Sequence, residues 1–282
     1  MTQPPPGAPG APAAGDGDTW RGYFRAALRD EWDGLDRINR DLRLADLFTL
    51  TNALMGLAAL LLIATAPYEA RWDRIHLAIE LVLVGVIMDG VDGAVSRMGK
   101  GNGPLGAVLD TLADALTFVA TSAVVTFVFI DTARGGETDP FLDRWGSLLA
   151  LGFYVVCGLL RLARFESLRD TGKPRDYFSG IPTPAAALML LAMVLVESPD
   201  WLLLSAAFVL GILMTTRARY PKIRGWIAVG TVAILLAILV SFSNPDFQAW
   251  LARGLLALMA LYVLAGPFVV LARHGANFPG SR

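Results

Sequence analysis

The sequence has almost no cysteine, almost no histidine and no internal repeat. Cys157 is the one cysteine among 282 residues, so an intrachain disulfide is excluded. It lies in the apolar run FYVVCGLLRL and is read as a packing residue. The two histidines, His76 and His274, fall at opposite membrane faces, so no paired-histidine site is expected. The first 18 residues, MTQPPPGAPGAPAAGDGD, lack both a basic start and an apolar core. They read as a disordered Pro/Gly/Ala-rich tail over 1–18, not as a signal peptide. The formal net charge of −1 points to no partner by itself, and no nucleic acid is expected.

What the chain has in excess is apolar sequence. Hydrophobic residues make up 55% of it and the mean hydropathy is +0.52. A soluble domain carries about 45–50% apolar residues even with glycine counted, so the chain reads as polytopic and membrane-embedded. A spanning helix takes roughly 20 apolar residues. Eight segments are candidates, at about 46–66, 75–97, 106–130, 145–164, 181–197, 200–215, 225–243 and 251–271. The fold class expected is therefore an all-α membrane helix bundle of about eight spans. The fifth and sixth are short and joined by ESPD, so a re-entrant hairpin is the alternative to two spans. Over 19–45 the sequence turns charged and amphipathic, with Trp20, Phe24, Ala27, Leu28 and Trp32 at helical spacing among arginines, as in an interfacial helix. Lys and Arg split 19 to 5 between alternate connections. That bias puts both termini, and the turn between the second and third spans, on the cytoplasmic side of the cell membrane.

Against this background one stretch stands out, 89-DGVDGAVSRMGKGNGPLGAVLDTLADALTF-118. Each ionised Asp near mid-membrane costs about 2.5–3.5 kcal/mol, so four cost on the order of 10 kcal/mol if unpaired. Arg97 cannot neutralise Asp89, Asp92, Asp110 and Asp114 together. A divalent cation can, and carboxylate oxygens suit Mg²⁺, Mn²⁺ or Ca²⁺, with Mg²⁺ or Mn²⁺ the cofactor expected. Asp89 and Asp92 are three apart, Asp110 and Asp114 four apart, so each pair shares a helix face. Gly90, Gly93 and Gly106 remove side chains around them and leave room for a close helix or a ligand.

Asp89-Gly-Val-Asp92-Gly93-Ala-Val-Ser96-Arg97, followed by Gly106, Asp110 and Asp114 at four-residue steps, resembles the signature of the CDP-alcohol phosphotransferases. That pattern is Asp-x-x-Asp-Gly-x-x-Ala-Arg, then Gly-x-x-x-Asp-x-x-x-Asp; seven of its eight fixed positions match, and Ser96 replaces Ala. The small serine is expected to have at most a local effect on nucleotide packing. FTLTNALMGLAA, RLARF at 161–165 and FSGIPTPAAA at 178–187 are similar to the serine-accepting, integral-membrane branch of that family. The resemblance covers about residues 45–195. It implies a catalytic core over 46–197, with 198–282 as further transmembrane helices of the same domain. It implies CDP-diacylglycerol and L-serine as substrates, membrane lipids around them, and a homodimer. It implies metal-site roles for Asp89, Asp92, Asp110 and Asp114, usually around two ions, with Asp114 as general base. Gly93, Ser96 and Arg97 would line the nucleotide site beside Gly106, and Arg161 and Arg164 would meet phosphate or headgroup.

Other basic residues have simpler readings. Arg169, Lys173, Arg175 and the run TTRARYPKIRG are expected as positive-inside anchors. GIPTPAAA starts a helix with proline in its first turn, which leaves Ser179 and Thr183 as headgroup candidates. The acceptor could instead be glycerol 3-phosphate, an inositol phosphate or choline. A cation or proton transporter using intramembrane carboxylates is the reading from a different class, though transporters often carry the internal repeats missing here.

Overall fold

A computed structural model describes residues 44–98, 104–133, 140–167, 177–221, 226–241 and 245–275. The expected tail at 1–18 and the interfacial helix at 19–45 lie outside the described residues as far as residue 43. The elements in chain order are α1 (Leu44–Ala64), a 3-10 turn (Tyr68–Ala70), α2 (Arg71–Met98) and α3 (Pro104–Asp114). A π-helical segment (Ala115–Thr121) joins α3 to α4 (Ser122–Ala133). Then come α5 (Pro140–Ser167), β1 (Tyr177–Ser179), α6 (Thr183–Leu195), α7 (Asp200–Thr215), β2 (Arg219–Pro221), α8 (Trp226–Val240) and α9 (Pro245–Gly275). The class is all-α, with one small antiparallel ribbon among the described residues, in which Phe178 faces Tyr220.

Among the described residues, four stretches are long and apolar enough to cross a membrane: Ala45–Ala64, Leu105–Ala133, Trp145–Ser167 and Asp246–Val270. Thr183–Leu195, Asp200–Thr215 and Val229–Val240 are apolar but shorter. At 1.5 Å per residue the 13-residue α6 is only about 20 Å long, against a hydrocarbon core of about 30 Å. The reason is its surroundings. Ile181, Ala186, Leu190 and Leu191 are fully buried, and α6 packs on α2, the π segment, α4, α7 and α9. A rod apolar all round belongs in a protein interior. There its length is not matched to the bilayer.

The α6–α7 turn shows why the chain stops. Glu197 adopts φ 52, with Ser198 N–H donating to Met193 O (3.0 Å) and Glu197 N–H to Val194 O (2.9 Å). That is a Schellman cap, unusual in having a side chain at its left-handed position. Pro199 then caps α7, and Asp200 places a carboxylate in its first turn, where the helix dipole favours it.

Helix α1 has two unlike faces. Leu47, Leu50, Leu54, Leu57 and Leu61 recur at three- and four-residue steps and are exposed. Asp46, Thr49, Asn52 and Gly56 recur at similar steps and are buried against α2, α3 and the π segment. The π segment is fastened here by hydroxyls. Thr117 donates to Asn52 O (2.9 Å) and Thr121 to Gly56 O (3.3 Å). Tyr154 of α5 donates to Phe118 O (3.2 Å), and Ser122 donates to that same carbonyl. A π register displaces carbonyls from the α ladder, and buried carbonyls need partners.

Gly56 makes this contact possible. A Cβ there would stand 2.9 Å from Thr117 Cα and 3.0 Å from its Cβ. Gly56→Val is expected to destabilise the fold by roughly 1–3 kcal/mol through overpacking. Thermal unfolding in detergent reads this directly, and an unchanged midpoint would remove the close α1–π contact from the account.

Candidate active site

The second half of α2 and the second half of α3 bring three carboxylates together. One oxygen each from Asp89, Asp110 and Asp114 lies within 4.8 Å of the other two. Two unit charges at that separation repel by about 3–4 kcal/mol at an effective dielectric of about 20, and three pairs are present. Arg161, buried at 7% exposure, is close enough to Asp114 to act on it electrostatically, but one cation does not balance three anions. Three hard oxygen donors, with Asp114 Oδ1 buried and without a hydrogen-bond partner, fit a divalent cation such as Mg²⁺ or Mn²⁺.

Asp92 sits one turn on from Asp89 and outside this trio. Its Oδ2 accepts from the Thr49 hydroxyl of α1, and Asp92 still acts electrostatically on Asp89. Gly93 is half-buried and Gly106 buried beside the carboxylates. Gly90 is exposed, with nothing within 4 Å of where a Cβ would stand. Ser96 and Arg97 belong to the final turn of α2, their side chains outside the described residues.

The far wall comes from α5 and the start of α6. Arg161 Nη1 donates to Thr183 Oγ1 (3.3 Å), and the Thr183 hydroxyl is hydrogen bonded to Asp114. The three form a relay from guanidinium to hydroxyl to carboxylate. Arg161 Nε is buried with no hydrogen-bond partner. Arg164, one turn on, does something else. It donates to Ser179 O and Ser179 Oγ (both 2.9 Å), Thr215 O (3.1 Å) and Thr216 O (3.3 Å). It therefore ties β1 to the end of α7, where a cation also suits the helix dipole. Of the sequence candidates, Asp89, Asp110, Asp114, Arg161 and Thr183 converge; Ser179 joins through Arg164.

Sequence reasoning passed over Thr49, Asn52, Thr117 and Tyr262. Thr49, Asn52 and Gly56 did carry a signal, since polar and small residues at three- and four-residue steps in an apolar helix mark a face turned inward. Tyr262 carried none. It lies in α9 and donates to Pro221 O (3.1 Å).

The profile of the CDP-alcohol phosphatidyltransferases matches residues 42–216, and the chain belongs to that family. More particularly, the chain is similar to proteins named CDP-diacylglycerol–serine O-phosphatidyltransferase. That of Helicobacter pylori is 27% identical over 231 residues, 78% of this chain and 88% of that protein. That of Methanocaldococcus jannaschii is 26% identical over 203 residues, 72% and 86% of the two chains. That of Saccharomyces cerevisiae is 30% identical over 161 residues, 55% and 54%. The protein is thus a membrane enzyme, and the transporter reading falls away.

Thr49→Val would strip Asp92 of its hydroxyl partner while keeping side-chain volume. Partners that orient a metal-site carboxylate are worth roughly 10–100-fold in metal affinity or activity, and a loss of that order is expected. Mn²⁺ titration by calorimetry measures it, with circular dichroism to show the helices intact. Asp110→Asn should weaken Mn²⁺ binding more than Thr49→Val does; the reverse order would contradict the carboxylate trio as the main donor set.

Proposed function

We propose that this chain transfers the phosphatidyl group of CDP-diacylglycerol to the hydroxyl of L-serine, forming phosphatidylserine and releasing CMP. The observation that carries it is the convergence of Asp89, Asp110 and Asp114 at the family's own motif. The acceptor follows the activity named for relatives matched along most of this chain.

The reaction forms a bond from the serine oxygen to phosphorus and breaks the bond from phosphorus to CMP. Its demands are alignment, charge neutralisation and a base. A bound divalent cation, Mg²⁺ or Mn²⁺, held by Asp89, Asp110 and Asp114 with Asp92 beside them, supplies charge neutralisation for the diphosphate. Asp114 is the group we assign to take the serine proton, at its carboxylate. Thr183 donates to that carboxylate and Arg161 donates to Thr183, which fixes the orientation of Asp114. Fully buried Thr183 at the head of α6 keeps water from this side of the carboxylate. Arg161 Nε, aimed at no protein acceptor, is left for an anionic group of the substrates. Gly93, Ser96, Arg97 and Gly106 are the residues we assign to the nucleotide. The polar site lies towards one end of the bundle, and the Lys and Arg distribution supports the cytoplasmic end, with both termini on that side. A C-terminal reporter active only outside the cytoplasm, giving signal in cells, would contradict that orientation.

CMP release from CDP-diacylglycerol with Mn²⁺ is expected to depend on L-serine and to be lost on chelation. Asp114→Asn should lower turnover by roughly 10²–10⁴-fold, the worth of a general base. Glycerol 3-phosphate, inositol phosphate and choline run in parallel. Release with one of these and not with serine would overturn the acceptor; no release with any would overturn the reaction.

A further inference from the structure

We infer that the C-terminal helix α9, which lies beyond the family-matching segment 42–216, positions the acceptor side of the site through an aromatic clamp on the β1–β2 ribbon. The inference rests on the function proposed above. The clamp has three parts. The Tyr262 hydroxyl donates to Pro221 O (3.1 Å), and its ring lies against Tyr220 with centroids 5.6 Å apart. Tyr220, fully buried, donates back to Val263 O (3.4 Å). Gly266, one turn further along α9, is the seat for both: a Cβ there would stand 2.9 Å from Tyr220 Cδ1 and 3.3 Å from Pro221 Cδ.

What the clamp holds leads directly to the relay. β2 pairs with β1, Tyr177 facing Pro221 and Ser179 facing Arg219. Arg219 also lies over the Tyr177 ring at 4.7 Å. Ser179 carries Arg164. The next residue, Gly180, takes φ 78, and a Cβ there would run into Met214 O. Gly180 N–H donates to Ala218 O (2.8 Å) and Ile181 N–H to Leu213 O (3.2 Å). Two residues later Thr183 opens α6 with its hydroxyl on Asp114 and Arg161. The path from Tyr262 to Thr183 therefore runs through a paired ribbon and a glycine joint that cannot flex without breaking backbone hydrogen bonds. Tyr220, Tyr262 and Gly266 are positioning residues: they touch neither carboxylate nor hydroxyl of the relay. A displacement of about 1 Å at a reacting group costs up to about 10²-fold, so a shifted ribbon has kinetic consequences.

Of the carboxylates on α2 and α3, the relay from the ribbon reaches Asp114, the base assigned to the acceptor, and not Asp89 or Asp110. The clamp should therefore act on the acceptor and spare the nucleotide. The test uses the purified full chain as wild type, Gly266→Val and Tyr262→Phe. CMP release is measured with serine varied at saturating CDP-diacylglycerol, then the converse. Hydrogen exchange is followed over 177–183, with 86–92 and 107–117 as the reference. Gly266→Val is expected to raise the serine KM by roughly tenfold, Tyr262→Phe by less, as for loss of one hydrogen bond. The KM for CDP-diacylglycerol should stay put, and exchange at Gly180 and Ile181 should quicken in Gly266→Val. An unaltered serine KM overturns the inference even if exchange quickens, since the ribbon would then be held for stability alone. Both KM values rising together overturns it too. Should wild type release no CMP with serine, the acceptor reading fails on its own. The clamp is then judged with the alcohol that does support release: a rise in that alcohol's KM in Gly266→Val, with the KM for CDP-diacylglycerol unmoved, upholds it, and an unaltered KM overturns it.

Discussion

Three carboxylates within 4.8 Å of one another, inside a bundle of apolar helices, repel each other strongly, and much of the surrounding structure serves to keep them there. Arg161 and Thr183 fix Asp114 from α5 and α6. Thr49 fixes Asp92 from α1. The π-helical segment begins at the residue after Asp114, so the ladder of α3 changes register where the last carboxylate is aimed. π-helical insertions cost backbone geometry and recur at functional positions. Here the cost is offset by hydroxyls of Thr117, Thr121, Ser122 and Tyr154 that occupy displaced or neighbouring carbonyls.

This explains why so many polar side chains are buried in a membrane bundle. Thr49, Asn52, Thr117, Thr121, Ser122 and Thr183 are all nearly inaccessible. They are not scattered. They lie on α1, the π segment, the first residue of α4 and the start of α6. Each hydroxyl can donate once and accept twice, which makes it a flexible partner for a backbone that departs from the regular helix.

The carboxylates were legible in the sequence because helix periodicity alone brings i, i+3 and i, i+4 pairs to one face. Helix positions were legible from apolar runs. The shortness of α6 and α7 was legible too. What was not legible is that protein encloses α6, because hydropathy does not distinguish a rod facing lipid from one buried among other helices. The π register was invisible, since it is set by hydroxyl–carbonyl bonds across tertiary contacts. The hydrogen bonds of Arg164 to the carbonyls of Ser179, Thr215 and Thr216 were not legible, because those partners are brought to it only by folding. TTRARYPKIRG read as an anchor for topology. It also holds β2, a three-residue strand too short to show an alternating pattern and defined by its pairing with β1.

Helix α1 has a leucine ladder on one side and the polar stripe of Thr49 and Asn52 on the other. It is a partition one helix thick between that leucine face and the helices that carry the carboxylates. A molecule with a charged head and two acyl tails can lie across such a partition's edge, head inside and tails outside, without ever leaving the lipid phase. The quantity that sets the reaction rate is then a surface density, the mole fraction of substrate in the plane of the membrane, and not its amount per volume of water. Dilution of the bilayer with inert lipid becomes a form of competition, and the enzyme's output follows the composition of the membrane in which it sits.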